Sequence, residues 1–192
     1  MNRTLIRRCI ALTAIAFCGI ANAHPAGSGG GGSLAAGLAH PMLGLDHLLA
    51  MLAVGVWAFQ LGGRARWLVP VSFVTLMAVA GAVAMAEVAL PMVEIGIATS
   101  LLMLGLLIAF SVRVKPALGA AIVALFAIFH GHAHGAEMPL LGSAWQYGVG
   151  FVVATAALHG LGLALGNGLR ERTLWLRAAG AMVAVSGAWM LA

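Results

Sequence analysis

The sequence predicts an all-α polytopic membrane protein, a bundle of six transmembrane helices that follows a cleavable signal peptide. Of the 192 residues, 62% are hydrophobic and only 8% are charged, and the mean hydropathy is +1.05. A soluble domain of this size needs more polar surface than that composition supplies. The apolar residues also form stretches of about 20, the length that crosses a hydrocarbon core as a helix. Basic residues cluster between these stretches, as is typical of membrane proteins.

The N-terminal segment has the organisation of a secretory signal peptide over residues 1–23. Three arginines among the first eight residues precede an apolar run at 9–20, and the Ala-Asn-Ala at 21–23 is a small-residue cleavage site. An uncleaved first helix is the alternative. Both cysteines lie within this segment, so cleavage leaves a mature chain without a thiol. Disulfides and thiolate metal sites are thereby excluded.

Residues 24–37 form a second predicted segment, a flexible glycine-rich stretch on the periplasmic side. The predicted transmembrane domain follows at 38–192. Cleavage makes His24 the new N-terminal residue. Because an N-terminal amine beside an imidazole can chelate a metal ion, His24 is a weak candidate ligand. An accident of the cleavage position is the other interpretation.

Six apolar stretches follow, each close to the length of a membrane-spanning helix. They cover residues 38–61, 68–88, 92–112, 116–137, 146–167 and 174–191. Glycine and alanine are dense within them, which permits helix backbones to approach closely. The sequence therefore predicts a compact bundle.

The distribution of basic residues predicts the orientation of these spans. Lys and Arg occur in the first, third and fifth connections or their flanks, and the second and fourth connections contain none. Since cytoplasmic loops carry the excess of basic residues, the odd-numbered connections are predicted to be cytoplasmic. The mature N-terminus is then periplasmic, and the protein lies in the bacterial inner membrane. The same pattern argues against nucleic-acid binding, although the net charge is +5.

Ionisable side chains within the fourth stretch are the strongest candidates for function, because such groups are costly in lipid unless they face a cavity or a partner. His130, His134 and Glu137 are spaced to lie along one stripe of a helix. Two imidazoles and a carboxylate on one face are suitable ligands for nickel, cobalt, zinc or copper(II). His132 points to another face, unless Gly131 and Gly135 open the helix there, and is a weaker candidate.

The first stretch carries a second set of candidates. His40 and His47 are seven residues apart and share a face if the helix is regular, with Met51 following on that face as a weaker candidate. Asp46 lies about 100° away from His47 around the helix. Its carboxylate is expected either to orient an imidazole of a neighbouring helix or to line the metal path itself.

The two sets are expected to meet in the outer half of the membrane. The first stretch enters from outside, and His130 lies roughly 21 Å above Lys115 at a rise of about 1.5 Å per residue. Near the same side, Glu87 and Glu94 are either an acidic lip that attracts cations or solvated helix ends. His159 lies deeper, where it is either a second station on the path or a packing residue.

These residues carry a resemblance to a known family. The run at 40–51, His-Pro-Met-Leu-Gly-Leu-Asp-His-Leu-Leu-Ala-Met, resembles the H-P-x-x-G-x-D-H-x-L-A-M signature of the HupE/UreJ family of nickel permeases. The run at 129–137, Phe-His-Gly-His-Ala-His-Gly-Ala-Glu, is similar to the family's second histidine motif, and the region around Glu94 is similar to its third-span segment. The resemblance implies nickel uptake for hydrogenase or urease maturation. The functional positions that it implies are His40, Asp46, His47, His130 and Glu137.

The predicted function is an inner-membrane permease that carries a divalent transition metal, foremost Ni²⁺, into the cytoplasm along histidines and carboxylates. Ligand chemistry alone also permits Co²⁺, Zn²⁺ or Cu²⁺. A metal-responsive sensor or accessory subunit without autonomous transport is the alternative. No enzyme is predicted, since the chain contains neither a P-loop nor an H-E-x-x-H motif. The predicted partners are the metal ion and the lipid bilayer, with no prosthetic group; the oligomeric state is left open.

Overall fold

A computed structural model describes residues 34–136 and 143–192, and the chain within those ranges is helical, with short connections. This confirms the predicted all-α class. In chain order the α-helices are α1 (Leu34–Ala39), α2 (Leu45–Leu61), α3 (Ala65–Met85), α4 (Val93–Ala109), α5 (Pro116–Ala136), α6 (Ala144–Gly168) and α7 (Thr173–Leu191). A 3₁₀ turn, His40–Met42, stands between α1 and α2. The predicted signal peptide, His24 and Glu137 lie outside the described residues.

Several of these helices are suited to cross a membrane. By length and apolar composition, α3, α5, α6 and α7 qualify individually. A fifth span results if α1, the 3₁₀ turn and α2 count as one bent unit. Helix α4 is apolar but, with 17 residues, it is too short to qualify in the same way. The described part of the chain is therefore that of a multi-pass membrane protein.

The first apolar stretch differs from its prediction as one regular helix over 38–61. The chain bends by 84° between Leu34–Met42 and Leu45–Leu61. Gly44 is the point of the break, because its backbone is extended (φ −99°, ψ 120°) and it caps the start of α2. The expectation of a continuous helix was wrong because Gly44, two residues after the 3₁₀ turn, is a poor helix former and takes an extended conformation instead.

Helix α2 lies at the centre of the bundle and contacts α3, α4 and α6. Its residues Met51, Val54 and Trp57 are fully buried. Around it, α3 packs most extensively on α5, and α4 on α7. The outer surface carries exposed tryptophans near both ends of the helices: Trp67 and Trp175 near the basic connections, and Trp145 and Trp189 toward the opposite end. Aromatic residues concentrate in this way at the two interfaces of a membrane.

Glycines lie at the points where neighbouring helices approach each other most closely. A Cβ on Gly55 of α2 would collide with the His159 carbonyl and lie 2.9 Å from Cα of Gly162 on α6. A Cβ on Gly131 of α5 would collide with the backbone of Met77 on α3. These pairs approach so closely that the helices need small residues there, as is typical of membrane bundles.

Side chains from neighbouring helices satisfy the carbonyl groups at the end of α4. Gln60 of α2 donates to Ile108 O at 3.3 Å, and Arg177 of α7 donates to Ala109 O at 2.7 Å. Just beyond the helix, the Trp57 indole donates to Val112 O at 3.1 Å. Helix ends leave such carbonyls without partners inside the helix. The three bonds anchor α4 between α2 and α7 at the basic end of the bundle.

Candidate metal centre

The break at Gly44 determines where the first two histidines lie. His40 begins the 3₁₀ turn, and His47 occupies the first turn of α2, beyond the extended Gly44. The sequence predicts that the two lie two turns apart on one regular helix. The structure instead places them on separate elements. Each nevertheless contacts the same partner, the ring of His134 on α5.

Four imidazole rings form one group, which we call the histidine cluster: His40, His47, His130 and His134. Measured between ring centroids, His134 lies 4.1 Å from His47 and 4.8 Å from His40, and His47 lies 5.0 Å from His130. His40 is half-buried, and the other three are buried. The α5 pair is four residues apart and shares a helix face. The structure thus brings together histidines from the first and fourth apolar stretches.

Two aromatic residues of α6 cover the histidine cluster. Phe151 lies 4.1 Å from His134, and Tyr147 lies 5.5 Å from His40, between ring centroids. The two aromatic rings are nearly parallel and 6.4 Å apart. Sequence analysis missed both residues. Their signal was an aromatic pair at i, i+4, which is equally typical of ordinary core packing.

Asp46 pairs with its own neighbour in the chain. Its Oδ1 lies 3.0 Å from Nδ1 of His47, so the carboxylate accepts a hydrogen bond from that nitrogen. The other nitrogen, Nε2 of His47, is buried and has no hydrogen-bond partner in the described ranges. A carboxylate on one imidazole nitrogen fixes the ring and raises the basicity of the other nitrogen. Asp46 therefore orients His47 of its own helix, whereas the sequence predicts that it orients an imidazole of a neighbouring helix or lines the path.

A serine of helix α4 forms a hydrogen bond with His130. Its Nε2 lies 2.8 Å from the hydroxyl of Ser100, and both residues have no exposed surface. The Phe73 ring of α3 lies 5.7 Å from the same imidazole. Ser100 and Phe73 were not among the predicted site residues. Neither a serine nor a phenylalanine in an apolar stretch indicates by itself which side chain it will face.

Two other predicted histidines have backbone carbonyls as their hydrogen-bond partners. Nε2 of His132 is 2.8 Å from the carbonyl of Val88, beyond the end of α3. Helix α5 continues to Ala136, so its glycines do not open it toward the cluster. His159 on α6 is buried; its Nδ1 lies 2.7 Å from the Met51 carbonyl, and its ring is 5.1 Å from Phe73.

Met51 and the two outer glutamates are the remaining weaker candidates among the described residues. Met51 is fully buried in α2 and contributes its carbonyl to His159. Glu94, in the first turn of α4, is exposed, as is Glu87.

The cluster as it stands is not arranged as a closed metal site. Among residues 34–136 and 143–192, no three His, Cys, Asp or Glu side chains are placed to hold a metal ion together. The imidazole pairs meet edge to face, at interplanar angles of 81°, 86° and 61°. Because no three of these groups are placed together, convergence of the ring nitrogens on one ion requires that side chains or helices of the cluster move closer.

Comparison with known proteins covers nearly the whole chain. A family model described as "HupE / UreJ protein" matches residues 11–190. "Protein HupE" of Rhizobium leguminosarum bv. viciae is 48% identical over 183 residues, which is 94% of this chain and 94% of that protein. No solved structure matches the chain.

Proposed function

We propose that this chain, which belongs to the HupE/UreJ family, is a permease that carries a divalent transition metal, foremost Ni²⁺, into the cytoplasm. The family is one of membrane accessory and transport proteins, not of enzymes. The family supports nickel as the metal, since imidazole and carboxylate ligands also accept cobalt, zinc and copper(II).

One observation carries the proposal: His47, His130 and His134 are buried side by side inside an apolar bundle. Ionisable side chains within a membrane are costly, and they mark ion pathways more often than they serve packing. Nitrogen atoms of buried rings would replace the water ligands of an entering ion. Transport further requires that binding be loose enough to release the ion inward.

The transmembrane arrangement in this proposal has six spans. The bent unit of α1, the 3₁₀ turn and α2 forms the first span, and α3 to α7 form the others. The basic connections at 62–66, 111–115 and 169–172 would face the cytoplasm, because positive residues are retained on that side. The mature N-terminus and the histidine cluster would then lie toward the periplasm of the inner membrane, where a scarce cation is captured.

Inward movement of a divalent cation needs no further energy source in this arrangement. One charge gains about 2.3 kcal/mol per 100 mV of membrane potential, so a divalent cation gains about 4.6 kcal/mol. The helices would therefore need to supply selectivity and a path for the ion. Coupling to another ion or to ATP hydrolysis would not be required.

The test is nickel entry into liposomes that contain the purified mature protein, followed with an internal fluorescent chelator. His47→Ala and His130→Ala are expected to abolish entry, and His132→Ala is the matched control because its ring bonds to Val88 O outside the cluster. Cobalt, zinc and copper are measured in parallel to define selectivity. Absence of entry for every metal, with folded protein, would contradict the permease and favour a sensor or accessory subunit.

A further inference from the structure

The hydroxyl of Ser100 joins two partners in the interior of the bundle. Its Oγ lies 2.7 Å from the carbonyl of Ile97, one turn earlier on α4, and 2.8 Å from Nε2 of His130 on α5. Ser100 and His130 have no exposed surface. The protons in these two hydrogen bonds can be counted, because the partners have different capacities to donate and accept.

The count assigns the proton on the imidazole. A carbonyl oxygen only accepts, so the single proton of the Ser100 hydroxyl is donated to Ile97. The hydroxyl oxygen must then accept from Nε2 of His130, which therefore carries a hydrogen. A neutral imidazole has one N–H, and a fully buried one with no carboxylate bonded to it is neutral because burial disfavours the charge. The lone pair of His130 is consequently on Nδ1.

That lone pair is available. Nδ1 of His130 is buried and has no hydrogen-bond partner among the described residues, while its ring lies beside that of His47. His47 has the opposite assignment: Asp46 accepts from its Nδ1, and Nε2 is the bare nitrogen. The two neighbouring rings therefore offer different nitrogens.

We propose that Ser100 is a positioning residue that holds His130 as the Nε2–H tautomer, so that Nδ1 is the atom that receives the metal ion. The inference rests on the proposed function of the histidine cluster and deepens it, because it names the ligating atom and the residue that selects it. Hydrogen bonds to the second nitrogen of a ligating histidine fix its tautomer and orientation, and their loss typically lowers metal affinity about 10–100-fold.

Removal of the hydroxyl separates this role from a structural one. Ser100→Ala is expected to weaken binding of Ni²⁺ about tenfold, measured by calorimetry on the purified full chain. Ser100→Thr keeps the hydroxyl and is expected to restore affinity. Ser186→Ala is the matched control: Ser186 makes the same bond to a carbonyl three residues earlier, Val183 O at 3.3 Å, with no recorded bond to a histidine. It is expected to bind nickel as the unsubstituted protein does.

Nitrogen NMR of protein labelled at histidine tests the assignment directly, without reliance on transport. In the metal-free protein, His130 is expected to show a protonated Nε2 and an unprotonated Nδ1, with the His130→Ala variant identifying its signals. Addition of diamagnetic Zn²⁺ is expected to shift Nδ1, and in Ser100→Ala the single tautomer is expected to give way to a mixture.

A protonated Nδ1 in the metal-free protein, or a zinc shift confined to Nε2, would overturn the proposal. Equal nickel affinity in Ser100→Ala and Ser186→Ala would also overturn it. A different result would contradict the permease and leave the assignment of His130 intact: zinc shifts Nδ1 of His130 as expected, but no metal enters liposomes.

Discussion

The imidazole rings of His47 and His134 lie 4.1 Å apart, centroid to centroid, although they belong to the first and fourth apolar stretches of the chain. This contact joins α2, at the centre of the bundle, to α5. It exists because the chain breaks at Gly44 and begins a new helix just before His47. The break and the rings around it bear on metal binding, while the helix contacts and the charged connections bear on stability and orientation.

The Asp46 carboxylate should control the affinity of the cluster for metal. Asp46→Asn keeps the size of the side chain but removes the charge that pairs with Nδ1 of His47 at 3.0 Å. We expect nickel affinity to fall about tenfold, because the bare nitrogen of His47 becomes less basic and the ring less fixed. Calorimetric titration checks this, with Glu94→Gln as the exposed-carboxylate control. Equal losses in both variants would favour general attraction of cations over orientation of His47.

Gly44 should be required for the pairing of Asp46 and His47. A Cβ at this position would lie 2.8 Å from Oδ1 of Asp46 and 3.2 Å from Nδ1 of His47, whereas a Cβ on Gly160 meets nothing within 4 Å. We expect Gly44→Ala to weaken nickel uptake several-fold by displacing both side chains, and Gly160→Ala to leave it unchanged. Initial uptake rates in liposomes measure the difference. Unchanged uptake by Gly44→Ala would show that the pair tolerates the displacement.

Gly131 lies between two histidines of α5, but its contact is with the backbone of Met77 on α3. We therefore expect it to affect stability. Gly131→Ala is expected to lower the free energy of unfolding by about 1–3 kcal/mol, since the new methyl group forces α3 away from α5. Gly148 has open space at its Cβ and supplies the control, Gly148→Ala. Thermal unfolding in detergent, followed by circular dichroism, measures the loss. A midpoint equal to that of the control would contradict the close contact.

Acid should weaken metal binding. A ligating imidazole must be neutral, so binding releases any proton on the rings and becomes less favourable as the pH falls. We expect nickel affinity to decrease steadily as the pH is lowered from neutral to about 5, with folded protein throughout. Titrations at several pH values, each with a circular dichroism spectrum, check this. Affinity independent of pH would show that the metal displaces no proton from the rings, and would contradict this expectation.

The orientation can be tested with single cysteines. Val88→Cys lies in the connection after α3 and should react with a membrane-impermeant maleimide from the periplasmic side. Val112→Cys lies at an exposed position in the basic connection after α4 and should react only once the membrane is opened. The unsubstituted protein should not react, because its two cysteines lie within residues 1–23, the predicted signal peptide. Labelling of Val112→Cys in intact cells would reverse the proposed orientation.

The sequence predicts the helices well because an apolar stretch in a membrane protein has few alternatives to a helix. The pairing of His130 and His134 on one face follows from their spacing alone. The break at Gly44 was missed, because the pattern 38–61 is apolar on both sides of it. Ser100 and Phe151 were missed for another reason: periodicity tells which face of a helix is occupied, but not which helix it faces.

The proposed transport depends on binding of the metal by the imidazoles of the histidine cluster. X-ray absorption of the nickel-loaded full-length protein tests this binding, because ordered imidazole ligands leave a recognisable scattering pattern. We expect at least two imidazoles per nickel, fewer in His47→Ala and His130→Ala, and no change in His132→Ala. Nickel surrounded only by water and carboxylate oxygens, or a loss of imidazole confined to His132→Ala, would contradict it.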